Sequence, residues 1–271
     1  MPLDYEAIRE SFNKAANNYE DNGVLQKEIM LRMMERLKME ADLNPKLILD
    51  LGCGTGWAMP ELLKLYPNCE ITGIDFSQNM LNQVPKHNQI KTIHHDVHSL
   101  PLDDNCVDIV YSNMMLHWSN EADVFKECLR VLKHDGLLLM SALGETTLFE
   151  LKQCWKDIDN QPHVNSFPAL HNMGDQLLNT GYQNVVVNTE VLTLTYTDIR
   201  ALMNDIKASG GKNVDEKRQK SMYSRNQLQK LSKSYDAFKQ EDGRLPASYE
   251  VVYLRANKQS LAENAIPVSI K

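Results

Sequence analysis

The stretch KLILDLGCGTGW, Lys46 to Trp57, constrains the fold of this chain more than any other. Leu47 to Leu51 is a short apolar run with an acid in fourth place, which is the pattern of a strand buried on both faces of a parallel sheet as it reaches its carboxyl end. Gly52, Gly54 and Gly56 follow, so the backbone can turn sharply with no side chain between it and a ligand. The helix expected from about Trp57 to Tyr66 then offers its unpaired N–H groups. Strand, bare turn and helix in that order predict a nucleotide-binding elbow.

The glycine spacing narrows the nucleotide. A dinucleotide fold needs G-x-G-x-x-G so that the helix start can take a pyrophosphate, whereas here the spacing is G-x-G-x-G, preceded by Asp50. A carboxylate beside the turn repels a diphosphate and can hold an ammonium group, which disfavours a nicotinamide dehydrogenase. The arrangement resembles the first motif of the class I S-adenosylmethionine-dependent methyltransferases. That resemblance implies cofactor contacts from Asp50, Gly52, Cys53, Gly54 and Gly56.

The same unit repeats downstream. A second strand, Cys69 to Asp75, ends in GIDFS; a third, about Ile90 to His95, leads into DVHSLP; a fourth, Val107 to Ser112, ends in NMMLHW. A helix from Glu121 to Leu132 is expected to stop at LKHDG with Gly136, and LLLMSAL reads as the fifth strand. Strand and helix alternating five times predict a doubly wound parallel sheet whose ligand lies beyond the strand carboxyl ends. Asp50, Asp75, Asp96 and Asn113 all fall on that rim. Asp75 lies 25 residues beyond Asp50, near where such sheets place the acid that accepts two ribose hydroxyls. The methyltransferase resemblance implies that Asp96 accepts from an adenine amino group, that Val97 donates its backbone N–H to the ring, and that Phe76, Met80 and Asn113 line the pocket. Histidines 94, 95 and 98 alternate unevenly at a strand end with no further ligand set, so no metal is expected.

Upstream, Leu25, Ile29, Met33 and Leu37 recur on one helical face, widened by Met30. Residues 1–45 are read as a helical segment covering the cofactor, with Tyr19 and then Gln26 as its contributions to the site; Tyr19 is flat, apolar and tipped with a donor. His117, in the H-W pair with Trp118, could act as a general base or simply pack. A positioning role is preferred, for a reason that comes from the substrate below.

From Gly144 the pattern changes. Helices are expected over Thr147 to Ile158 and His171 to Thr180, the second closed by Gly181, and YQNVVVNTEVLTLTY reads as a long strand. Ile199, Leu202, Met203 and Ile206, then Leu228, Leu231, Tyr235 and Phe238, give two apolar stripes before LPASYEVVYLRA returns to a strand. The reading is a last hairpin opened by a helical insertion, placed to roof the site. Between Arg200 and Lys233 nine Lys or Arg (200, 207, 212, 217, 218, 220, 225, 230, 233) stand against three acids, a local balance of +6 in a chain of −7. A solvated helix face explains such a run equally well, but a basic lid on an acidic chain suits an anionic partner.

The segments SFNKAANNYE, LHWSNEADVFKECLRVLKHDG, SALGETTLFELKQCW, HVNSFPALHNMGDQLLNTGYQNVVV, YTDIRALMNDIKASGGKN, SRNQLQKL and DGRLPASYEVVY together resemble the malonyl-acyl-carrier-protein O-methyltransferases of biotin synthesis. The likeness runs from about Ile8 to Asn257, and departs at ASGGKN, where relatives more often carry a GIGA-like stretch. It implies an α/β fold, a doubly wound Rossmann-like class I methyltransferase sheet with a helical lid insertion before the last strand. It also implies methyl transfer from S-adenosylmethionine to the free carboxylate of a malonyl thioester. A carboxylate is already ionised, so the nucleophile needs no base, which is why His117 is given positioning and not proton abstraction. A cation among Arg200, Lys207 and Arg225 is expected to recognise malonyl. The rivals are a methyltransferase for a free small carboxylic acid and a non-catalytic module that binds the cofactor and docks a partner.

The expected division is 1–45 over the cofactor, 46–196 with 246–257 as the binding core, 197–245 as a basic lid and 258–271 as a tail. Net charge of −7 argues against nucleic acid. Five scattered cysteines suit a reducing compartment, with neither a disulfide framework nor zinc. No apolar run is long enough to span a bilayer, and MPLDYEAIRE is not a secretory signal, so a cytoplasmic location is expected.

Overall fold

The computed structural model describes residues 3–40, 43–159, 161–209, 213 and 223–260. Its strands are β1 (Leu47–Leu51), β2 (Glu70–Asp75), β3 (Ile90–His94), β4 (Val107–Asn113), β5 (Leu132–Leu143), β6 (Tyr182–Tyr196) and β7 (Leu245–Lys258). They form one sheet in the order β3-β2-β1-β4-β5-β7-β6. Strands β1 to β5 run parallel, and β7 is antiparallel to both of its neighbours. From β1 the chain winds outward to β2 and β3; it then returns past β1 to β4 and winds the other way. The crevice at the carboxyl ends of β1 and β4 is therefore the point where the strand order reverses, the usual ligand position in such sheets.

The helices are α1 (Tyr5–Ala15), α2 (Tyr19–Asn22), α3 (Val24–Lys38), α4 (Ala58–Leu65), α5 (Gln78–Leu81), α6 (Glu121–Val131), α7 (Phe149–Lys156), α8 (Leu170–Thr180), α9 (Ile199–Ala208) and α10 (Arg225–Tyr235). Alternate strand side chains face opposite layers. Ile48, Ile71 and Ile109 pack with the apolar stripe of α3 and with Met59 and Leu62 of α4. Leu49, Leu51 and Val110 pack with Val124, Phe125 and Cys128 of α6 and with Met173 and Leu177 of α8. Both layers are fully buried, so removing a ring such as Phe125 would cost roughly 3–5 kcal/mol. Local signals set the ends: Ser77, Asn120 and Asp198 cap α5, α6 and α9, and Gly181 closes α8 with φ of 108°.

Asp108 fixes the start of the central strands. Its Oδ2 accepts from the backbone N–H of Lys46 and Leu47 at 2.9 and 2.8 Å, and its Oδ1 pairs with Lys133 at 2.8 Å. Those bonds hold its carboxyl below the usual range against the effect of burial. The Lys133 end departs from the sequence expectation. Helix α6 stops at Val131 and β5 begins at once with Leu132, so LKHDG belongs to the strand. Asp135, and not Gly136, takes the positive φ, 64°. Gly136 is needed for space, because a Cβ there would stand 2.7 Å from the carbonyl oxygen of Lys133.

Helices α9 and α10 lie between β6 and β7, whose register pairs Tyr196 with Leu245. Strand β7 includes Lys258, whose Nζ donates to the carbonyls of Leu129 and Leu132 at 2.7 and 2.8 Å. Lys212, Lys217, Arg218 and Lys220 of the basic run, the glycines of ASGGKN and the tail from 261 lie outside the described residues. No helix among the described residues is long and apolar enough to cross a membrane.

Candidate functional site

Two cavities adjoin at the carboxyl ends of β1, β2 and β4. The first is lined by Gly52, Gly54, Asp75, Asp96, Val97 and Asn113 from the strand ends, with Phe76, Met80 and Met115 beside them. The turn is shaped by its glycines. Gly52, Gly54 and Gly56 have φ of 69°, 56° and 82°, where any side chain is strained. Each also has a distinct spatial reason. A Cβ on Gly52 would lie 2.3 Å from Met115 Cγ, and one on Gly56 would meet Val84 at 3.0 Å. One on Gly54 would touch only the Tyr19 ring, at 4.0 Å, so the space above Gly54 is kept for something else.

Two acids meet under that turn. Asp75 accepts from the N–H of Gly54 through Oδ2 at 2.9 Å and from that of Ser77 through Oδ1 at 2.8 Å. A carboxylate oxygen has a second lone pair, so both remain able to take a hydroxyl. Burial pushes the Asp75 carboxyl up to about 6, against the pull of those N–H donors. Asp50 is buried, and its Oδ2 has no partner among the described residues. Burial, and then the charge of Asp75, push it up to about 8. An orphaned buried acid costs stability unless a donor or a cation completes it. The pair thus suits a ligand that brings hydroxyls to one carboxylate and positive charge to the other. Cys53 packs against Gly73 behind the turn, and it, Gly56 and Asp50 support the cavity floor without lining it.

Asp96 and the histidines beside it form the outer rim. Asp96 Oδ1 accepts from the backbone N–H of His98 at 2.9 Å and meets its Nδ1 at 2.6 Å. His98 Nε2 accepts from the Asn120 N–H at 2.9 Å, so the proton sits on Nδ1 and is given to Asp96. These bonds hold Asp96 below the usual carboxylate range although burial opposes them. His94 and His95 bond to the carbonyls of Phe76 and Asp96. Among the described residues no three His, Cys, Asp or Glu side chains are grouped as metal ligands.

The N-terminal helices close the site with aromatic rings. Tyr19 tilts against Trp57 at 5.4 Å between centroids, and Phe12 meets Trp118 edge-on at 5.6 Å. Burial and the nearby Asp75 push the Tyr19 hydroxyl well above its ordinary value, so it stays protonated. Phe12, Tyr19, Met114 and Trp118 line both cavities and form the boundary between them.

The second cavity lies beyond that wall, with Gln26, His117, Asn165, Phe167, Asp205 and Tyr249 among its lining residues. Gln26 therefore faces the second cavity and not the first; its backbone carbonyl accepts from Asn113 Nδ2 at 2.9 Å, and its Oε1 is buried with no partner among the described residues. His117 packs between Trp118 and Phe167, at 5.0 and 5.6 Å. Its Nδ1 accepts from the Leu143 N–H at 3.4 Å, which leaves Nε2–H as the donor available to the cavity. Burial pulls the ring down to about 3, so it is neutral at any working pH. Arg200, Lys207 and Arg225 are exposed and line neither cavity. The residues not singled out in the sequence are mainly in this second wall: Asn165 and Phe167 lie in the segment before α8, Asp205 on α9 and Tyr249 on β7, and only Asp205, three residues beyond Leu202 on the same helix, carried any signal.

A family described as a methyltransferase domain matches residues 49–140. A malonyl-acyl-carrier-protein O-methyltransferase of Gallionella capsiferriformans is 37% identical over 94% of this chain and 91% of its own length. One of Laribacter hongkongensis is 38% identical over 92% and 88%. Among solved structures, Haemonchus contortus phosphoethanolamine N-methyltransferase 2 in complex with S-adenosyl-L-methionine superposes with a TM-score of 0.52 at 16% identity, over 84% of this chain and 52% of that one. The solved structure supports the fold alone, and the two relatives, covering nine-tenths of the chain, reach over both cavities.

Proposed function

This chain belongs to the malonyl-acyl-carrier-protein O-methyltransferase family, and from that membership we infer that the two adjoining cavities receive the methyl donor and the acceptor of one reaction. The chain is an S-adenosylmethionine-dependent carboxyl methyltransferase, and its acceptor is the free carboxylate of a malonyl thioester. The observation that carries the reading is the shared wall. With Phe12, Tyr19, Met114 and Trp118 lining both, the two cavities are immediate neighbours, separated by no more than those side chains.

S-adenosylmethionine supplies a methyl group on a positively charged sulfur. Asp75 would take its two ribose hydroxyls and Asp96 its adenine amino group, with the face of Gly54 left bare for close approach and the buried Asp50 beneath the turn attracting its ammonium group through charge. Asp50 would be ionised by that cation, so binding should expel a proton near neutral pH. The carboxylate that receives the methyl loses no proton, and neutral His117 has none to remove. Its Nε2–H can instead donate to the acceptor and aim it across the shared wall. Alignment of this kind supplies roughly 7–11 kcal/mol of barrier reduction, which fits a site without a general base. Esterification removes the substrate's negative charge, leaving a neutral end that chain-extending enzymes can accept.

The carrier protein would be met by the exposed basic face. Arg200 and Lys207 on α9 and Arg225 at the start of α10, exposed and outside both cavities, would act on encounter with the carrier. Methylation of malonyl carrier protein, followed by intact mass, tests the reading. The expected result is a mass increase of one methylene matched by release of adenosylhomocysteine; an unmodified carrier with no release would overturn it.

A further inference from the structure

We propose that Asp205 sorts malonyl thioesters from free dicarboxylic acids, accepting an amide N–H of the substrate's pantetheine arm and repelling a second carboxylate. The proposal rests on the acceptor reading of the second cavity and names the selection made there. Among the described lining residues of that cavity, Asp205 is the one charged side chain. It stands on α9, the wall contributed by the insertion, and lines the second cavity without reaching the first.

Its setting holds the carboxylate in place. Tyr196 on β6 donates its hydroxyl to Asp205 Oδ2 at 2.7 Å. Burial, and then the neighbouring Tyr249, push the Tyr196 hydroxyl far above its ordinary value, so it stays protonated beside Asp205. Beyond that bond the carboxylate keeps lone pairs for a ligand. Gln26 Oε1, buried on the same cavity with no partner among the described residues, is a second acceptor in want of a donor. An acidic group and an orphaned carbonyl are a poor lining for a dianion. They suit a ligand with one carboxylate for the Nε2–H of His117 and amide N–H groups further along.

A malonyl thioester of pantetheine has that composition: one carboxylate, a neutral thioester, then two amides. Free malonate has a carboxylate at each end and no donor. Were Asp205 only a tie between α9 and β6, removing its charge while keeping an oxygen for Tyr196 would leave selectivity where it was.

The test uses the full chain with S-adenosylmethionine, comparing kcat/KM for malonyl-pantetheine and for malonate in wild type, Asp205→Asn and Tyr196→Phe. Asp205→Asn should move the ratio at least about tenfold toward malonate, with kcat/KM for the thioester falling. Tyr196→Phe, which breaks the tie but keeps the charge, should leave the ratio within about twofold. Malonate binding measured by calorimetry with adenosylhomocysteine present reads the same charge without turnover, and should tighten in Asp205→Asn. An unchanged ratio together with unchanged malonate affinity would overturn the proposal, as would a Tyr196→Phe shift equal to that of Asp205→Asn. Failure of wild type to methylate any malonyl thioester would instead overturn the acceptor reading, and the calorimetric arm would still decide whether Asp205 excludes dianions.

Discussion

The two cavities share a wall yet are built by opposite means. The first draws its polar groups from the carboxyl ends of successive parallel strands, each joined to its helix by a short turn. Asp50, Asp75, Asp96 and Asn113 arrive on one rim because the sheet winds that way, and two of the acids are crowded into a buried pair. The second draws on α3, the turn after β4, the segment before α8, and then α9 and β7, which meet only in the folded chain. The first cavity is thus an electrostatic device made locally, and the second a surface of neutral donors and acceptors with one carboxylate, assembled at long range. A common donor can be held by a pattern that many chains share, whereas selecting an acceptor falls to residues that each chain brings from elsewhere.

The comparison breaks first at Asp75. Asp75→Ala should weaken S-adenosylmethionine binding about 100-fold, since two hydroxyl bonds to a charged acceptor are lost and two backbone N–H groups are left unpaired. Titration calorimetry checks it, and the affinity for malonyl thioester with adenosylhomocysteine already saturating should move far less.

Next comes the buried pair in the ligand-free protein. Asp50 keeps its proton in the native state up to about 8, while the unfolded chain releases it near 3.8. Between those values the native state binds more protons, so stability is greatest below 3.8 and is lost as pH rises through about 8, at up to about 1.4 kcal/mol per pH unit. Thermal unfolding followed from pH 5 to 8 should show that fall in wild type and a shallower one in Asp50→Asn; equal slopes would mean that the pair is not coupled to folding.

His117 gives a smaller effect, confined to the other cavity. His117→Leu should raise KM for malonyl carrier protein about tenfold, the value of one buried donor, with the donor's Kd unchanged. The pH profile of kcat/KM should show no inflection that disappears in this variant, because the ring is already neutral. The smallest effect belongs to the exposed cations. Neutralising Arg200, Lys207 and Arg225 one at a time should raise KM for malonyl carrier protein about two- to fivefold at low salt and less at high salt, without touching kcat for malonyl-pantetheine. Unchanged kinetics in all three would remove them from substrate recognition.

The parallel alternation of the first five strands, the glycine turn and the rim acids follow from the sequence because each is written within a strand–turn–helix unit, whereas the strand order rests on long-range pairings such as Ile48 with Ile109. Strand ends were harder: β5 swallowed LKHDG because Asp135 tolerates the left-handed conformation that a helix-stopping glycine was expected to take. Gln26 was expected beside the donor, and its backbone does bond to Asn113, but its side chain turns to the acceptor side. A helical stripe says which face is buried, not which of two neighbouring cavities a residue at its edge will meet. The acceptor wall was least readable. Phe167 lies in an irregular segment and Tyr249 in the middle of an apolar strand, where an aromatic ring reads as core.

The most direct measurement is a crystal structure of the chain with adenosylhomocysteine and malonyl-pantetheine together. The account predicts the ribose on Asp75, the adenine at Asp96, and the malonyl carboxylate within hydrogen-bond reach of His117 Nε2, on the far side of the wall made by Phe12, Tyr19, Met114 and Trp118. Density for the malonyl group outside the second cavity, or for the nucleoside away from the glycine turn, would contradict it.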